Sequence, residues 1–212
     1  QEHYAAFLDA PMQMLAYHAL FIVAAGGIVA RGVLGGIEAA SRVLMPVLAA
    51  LMILLAIYSS VVGDVVATVK FLFKLDLERI TAKAALDALG LGFFSIGVGL
   101  GLMITYAAYS GVDIDLKKVA YVSVLADTAI SLLAGFAVFP IVFGHGLDPA
   151  GGPGLVFVTI PLAFADLPFG TIGASAFFAL LFVAALASAI SMLELVVALL
   201  ANRLGGRRVL AT

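Results

Sequence analysis

Apolar residues fall into five long runs separated by polar stretches, at roughly 12–30, 43–63, 88–110, 118–143 and 170–202. Each run reaches the ~20 residues that a helix needs to cross a bilayer. The pattern predicts an all-α, polytopic integral membrane protein, with residues 1–212 forming a single transmembrane unit. The last run exceeds one span, so its helix should tilt or project into water.

The polar stretches carry the charge. Residues 31–42 hold Arg31, Glu38 and Arg42, and residues 64–87 mix four cations (Lys70, Lys74, Arg79, Lys83) with four acids (Asp64, Asp76, Glu78, Asp87). The 111–117 stretch is short. The 144–169 stretch has Asp148 and Asp166 but no Lys or Arg, and the tail carries Arg203, Arg207 and Arg208. Lys and Arg concentrate in cytoplasmic loops. Arg31, Arg42, Lys117, Lys118 and the tail arginines share one side, which places residue 1 outside and residue 212 in the cytoplasm of a cell (inner) membrane. An odd number of crossings fits. The chain starts at Gln1 with no basic segment ahead of a short apolar one, and it reads as an excerpt that begins in a loop.

Within the third run, Gly90, Gly92, Gly97, Gly99 and Gly101 crowd into twelve residues. Glycine costs up to about 1 kcal/mol relative to Ala inside a helix. Two readings follow. A helix broken near 95–101 would be tolerated only inside protein or along a cavity, as at the binding sites of secondary transporters. Alternatively, Gly97 and Gly101 form a Gly-x-x-x-Gly face for close helix packing. The 144–169 stretch is similarly two-valued. Its apolar part, Leu155 to Pro161, is too short to span, and it reads either as a lid hairpin dipping into the protein or as an interfacial loop.

Composition narrows the chemistry. The chain is 64% hydrophobic and 11% charged, against about 25% charged in soluble domains, and its mean hydropathy is +1.22. The net charge of −2, without a basic run, gives no reason to expect nucleic acid. With no cysteine, thiolate chemistry is excluded. His18, Asp127 and Glu194 lie inside predicted spans, where an ionisable group costs a few kcal/mol and marks a functional site by default. Asp127 has Thr128 beside it and Ser131 one turn on, an oxygen-rich patch suited to a hard cation such as Na⁺; the alternative is a structural hydrogen bond. Glu194 near Arg203 suits a gating or interfacial ion pair, and His18 suits a hydrogen-bonded core position. Ala184, Ala187, Ser188 and Ser191 share one helical face. They either permit close packing or offer Na⁺ the Ser188 hydroxyl and the Ala184 carbonyl. No nucleophile–base pair is evident, so the chain reads as no enzyme.

Four stretches, taken together and in order, resemble one family. They are Arg31 through Pro46, with Gly36 and Pro46 separated by nine residues; Phe93 through Gly101 with Ile104 to Tyr109; Gly154 through Pro161; and Ala184 through Ser191. The chain resembles the neurotransmitter:sodium symporters, in their bacterial sodium-dependent amino-acid transporter branch with the leucine-transporter fold. The family has about twelve spans in an inverted repeat, and the resemblance implies that this chain holds the fourth through eighth. The missing helices, or a partner chain, would supply the rest of the site. By the same match, Ser95 and Asp127 ligate a first Na⁺, and Asp127 stands where many members have Asn. Ala184, Ala187 and Ser188 fall at a second Na⁺ site. Phe94, Ser95, Gly97, Leu100, Ser188 and Met192 border the substrate. Two departures stand out. Ala187 replaces the residue that usually gives a side-chain oxygen to the second Na⁺, which would weaken or hydrate that site. Leu91 replaces the glutamine of chloride-dependent members, although their serine is present as Ser131. Asp127 could supply the charge that chloride otherwise brings, so no chloride requirement is expected. The expected function is sodium-coupled symport of a neutral amino acid, apolar or aromatic, as part of a larger chain. The alternative is a non-transporting structural or regulatory membrane module that binds partner helices.

Overall fold

The computed structural model describes residues 6–76, 80–111, 113–150, 152–203 and 212. Glu78, Arg79, Arg207 and Arg208, named above for their charge, lie outside the described residues.

Helix α1 (Pro11–Ala30) starts with proline in its first turn, where the missing N–H costs nothing. It ends at Arg31 and Gly32, and Gly32 at φ 86° reverses the chain. Helix α2 (Val33–Val62) begins at once with a π-helical turn over Val33–Glu38. The 31–42 stretch, expected as a loop, is therefore helical from Val33. Ile37 in that stretch is buried against α1, which outweighs the flanking charges. Gly36 makes the approach possible, since a Cβ there would sit 2.0 Å from the Ile28 carbonyl oxygen. Glu38 and Arg42 pair at 2.8 Å one turn apart, but both are exposed and such pairs stabilise little.

A short helix α3 (Val65–Phe73) follows, with the Asp64 carboxylate accepting from the Ala67 N–H at 2.9 Å. Helix α4 (Ala82–Ile96) opens on Thr81, whose hydroxyl accepts from the Ala84 N–H. After a break comes α5 (Leu102–Ala108), then α6 (Leu116–Gly144), whose first amides at Lys117 and Lys118 donate to Asp115. These polar caps satisfy donors that a helix start leaves open. The 144–169 stretch contains α7 (Leu155–Ala165), and α8 (Gly170–Arg203) closes the chain. Among the described residues, four helices (α1, α2, α6 and α8) are long and apolar enough to cross a membrane. The run at 88–110 is two half-helices rather than one span.

Two buried clusters hold the bundle. One lies between α2, α6, α7 and α8 around Leu55, Ile141, Phe164 and Phe177. The other joins α1, α2 and α8 through Val29, Ile37, Ile190 and Val197. Helix α1 buries only the side carrying Ala25 and Val29, so His18 lies exposed rather than in the expected core position. Helix α2 crosses closely on α6. The Ser59 hydroxyl donates to the Ala137 carbonyl, and the Asp64 N–H donates to the Pro140 carbonyl at 2.8 Å. Gly63 at the end of α2 has no room for a side chain, because a Cβ would lie 2.2 Å from the Pro140 carbonyl oxygen. Gly63→Ala should therefore force the two helices apart at a cost of about 1–3 kcal/mol. Thermal unfolding of the purified full-length protein should show a lower midpoint, and an unchanged midpoint would mean that the crossing is not tight.

Candidate functional site

The interruption between α4 and α5 is built by two glycines. Gly97 and Gly101 adopt φ of 74° and 76°, a region that costs other residues about 1–2 kcal/mol. The end of α4 is closed by amides folding back: Gly97 N–H donates to the Phe94 carbonyl at 3.0 Å and Val98 N–H to the Phe93 carbonyl at 3.1 Å. The next turn restarts with Leu102 N–H on the Gly97 carbonyl and Thr105 N–H on the Gly101 carbonyl. Gly90, Gly92 and Gly99 meet no other described atom of this chain within 4 Å of an added Cβ.

Ser95 sits in the last turn before the break. Its hydroxyl donates to Asp127 Oδ1 at 2.7 Å, joining α4 to the middle of α6. Both residues are at least partly exposed, which leaves their oxygens open to a further ligand. The rest of the oxygen-rich patch disperses. The Thr128 hydroxyl is taken by the Val124 carbonyl of its own helix at 2.9 Å. Ser131 faces a different cavity, with Leu72 and Phe139. Among the described residues no three His, Asp or Glu side chains converge on one point. A hydroxyl and a single carboxylate suit a weakly held monovalent cation completed by backbone carbonyls.

The break opens on a cavity of about 420 Å³, within the range of small-molecule sites. Phe94, Ser95, Gly97 and Leu100 line it from the break, and Ser188 and Met192 line it from α8. All six residues expected to border the substrate are thus brought together, and Asp127 joins them through Ser95. Ala184 lies one helical turn before Ser188 and is not part of the lining. Ala187 is part of it. The Ser191 hydroxyl donates back to the Ala187 carbonyl at 3.1 Å. Sequence reasoning missed Ser41 and Met45 on α2, and Met103 and Tyr106 on α5, all of which line the same space. Ser41 and Met45 are four residues apart, a one-face signal hidden inside an apolar helix. Glu194 is fully buried and accepts from the Tyr109 hydroxyl at the end of α5 at 3.0 Å.

The sodium:neurotransmitter symporter family model matches residues 10–208. The chain belongs to this family. An uncharacterised sodium-dependent transporter of Bacillus subtilis, YhdH, is 39% identical over 195 residues, covering 92% of this chain and 43% of the relative. A sodium-dependent transporter of Haemophilus influenzae is 33% identical over 196 residues, with the same shares covered. The crystal structure of MhsT in complex with L-phenylalanine superposes with a TM-score of 0.86 at 40% identity, covering 99% of this chain and 48% of that one. The chain spans about half the length of the relatives it matches. The broken helix and the apolar spans are therefore those of a symporter-family membrane protein, and the family is one of transporters rather than enzymes.

The two glycines of the break are not equivalent. A Cβ on Gly97 meets Leu102 Cδ1 at 2.9 Å, whereas one on Gly101 meets only Leu195, at 4.0 Å. Both Gly→Ala changes should lose about 1–2 kcal/mol to backbone strain, and Gly97→Ala should lose more. Unfolding midpoints of the two variants measure the difference, and the reverse order would contradict the role given to Leu102.

Proposed function

We propose that the full-length protein carries a neutral amino acid with an apolar or aromatic side chain across the cytoplasmic membrane, driven by Na⁺. The observation that carries this reading is the Ser95–Asp127 contact at the lip of a cavity opened by a broken helix. Na⁺ is a co-transported substrate here. Asp127 and Ser95 would hold the first ion, with further oxygens from helices outside this chain. The Ala184 carbonyl and the Ser188 hydroxyl would hold the second, more loosely because Ala187 brings no side-chain oxygen. Phe94, Gly97, Leu100, Ser188 and Met192 would border the amino acid. The phenylalanine bound by MhsT supports the substrate class.

Residue 1 would face outside and residue 212 the cytoplasm. The 144–169 stretch would act as the outer lid, closing over the break. Na⁺ would stabilise an outward-open state in which the substrate then bridges the break, and coupling requires that ions and substrate favour the same state. Asp127 supplies a fixed negative charge beside the first ion, so chloride is not needed to balance it.

Two measurements follow. With the full-length protein, Asp127→Ala should cost about 2 kcal/mol of sodium binding, the scale of a hydrogen bond to a charged group. That corresponds to a roughly thirtyfold weaker sodium dependence of amino-acid binding. Unchanged sodium affinity would remove Asp127 from the site. In reconstituted vesicles, sodium-driven phenylalanine uptake should be equal in chloride and in gluconate. Strict chloride dependence would refute the charge argument, and no sodium-driven uptake of any neutral amino acid would refute the transport reading.

A further inference from the structure

The cavity beside the break has a second one behind it. Helix α5 forms the wall between them. The second cavity, of about 400 Å³, lies between α5 and the first half of α6, lined mainly by apolar residues such as Val98, Ala107, Val119 and Val124. Met103 and Tyr106 on α5, with Ile96 at the end of α4, face both spaces. Met103 is 39% exposed. Its thioether chain therefore has open volume on either side.

The chain has six methionines, and three of them, from three different helices, line the first cavity: Met45 on α2, Met103 on α5 and Met192 on α8. Methionine has three rotatable bonds and a polarizable sulfur, which lets it conform to irregular apolar ligands and contact aromatic rings favourably. Met103 follows the left-handed Gly101 by two residues and belongs to the first turn of α5.

Building on the transport reading above, we propose that Met103 is a movable wall that, with Met45, sets the size of substrate side chain that the site accepts. A small side chain leaves Met103 in the first cavity. A large apolar or aromatic one displaces it toward the second. The substrate's charged groups stay at the Ser95 end, where the polar atoms of the break lie.

The test uses the full-length protein in liposomes under a sodium gradient, with kcat/KM measured for L-phenylalanine and L-alanine. A single methylene in an apolar pocket changes discrimination by roughly tenfold or more. Met103→Ala should therefore raise the phenylalanine-to-alanine ratio by about that factor. Met103→Ile, whose branched Cβ fixes the first rotamer, should lower it by a similar factor. Met45→Ala should move the ratio in the same direction as Met103→Ala. A merely structural role would reduce uptake of both substrates together and leave the ratio unmoved. Unmoved ratios in variants that still respond to Na⁺ would overturn the movable wall and leave the transport reading standing. Absence of sodium-driven uptake in the wild type would overturn both.

Discussion

A helix interrupted inside an apolar run of a membrane protein is the constraint on which the rest of this structure depends. Hydrocarbon offers no partner to a free amide or carbonyl, so an interruption persists only if its own groups are turned inward and its ends are held. Here the left-handed glycines at 97 and 101 turn the chain, and the amides of Gly97, Val98 and Leu102 find carbonyls within the break. The Ser95 hydroxyl then ties the end of α4 to Asp127 on α6, and Tyr109 ties the end of α5 to Glu194 on α8. Each half-helix is thus held to a different long helix. Motion of α6 relative to α8 would be felt at the break.

The rigid part of the molecule is elsewhere. Helices α2, α6, α7 and α8 share one buried cluster, and α1, α2 and α8 share the other, while α4 and α5 contribute to neither. Phe164 of α7 shows how firmly the scaffold is joined. It is buried, it stacks on Tyr58 at 6.0 Å between ring centroids, and it leaves no space for a side chain on Gly170 or Gly173. The Tyr58 hydroxyl fixes the end of that segment by donating to the Pro168 carbonyl at 2.7 Å. Local stability follows buried apolar contact, so opening should concentrate in α4 and α5. Those are the elements that carry the cavity.

Much of this was legible in the chain. Span length marks α1, α6 and α8 directly, and five glycines in twelve residues announce the break. The glycines were ambiguous because a Gly-x-x-x-Gly pair and a helix stop use the same residue. Only the backbone angles at Gly97 and Gly101 mark the stop. The start of α2 was not legible, since Arg31, Glu38 and Arg42 read as a loop until Ile37 is seen packed against α1. His18 was misplaced for a related reason: an apolar helix gives no sign of which side faces neighbours when nearly all its residues are apolar. The cavity's Ser41, Met45, Met103 and Tyr106 lie on two elements brought together only by tertiary folding. No local pattern sets them apart from other small or apolar helix residues.

Under the proposed function, Ser95 would let one site serve two ligands. Its hydroxyl lines the cavity and at the same time donates to Asp127. A cation against the Asp127 carboxylate would replace that donated proton as the partner of the carboxylate, and the hydroxyl would have to present its oxygen instead. Turning the hydroxyl changes what the cavity offers an amino acid at the same point. Linkage makes the effect reciprocal: whatever free energy the ion lends to substrate binding, the substrate lends to the ion. Coupling in this arrangement needs no long pathway through the protein. It needs one hydroxyl group with two possible orientations, held at the end of a helix that two glycines keep from continuing.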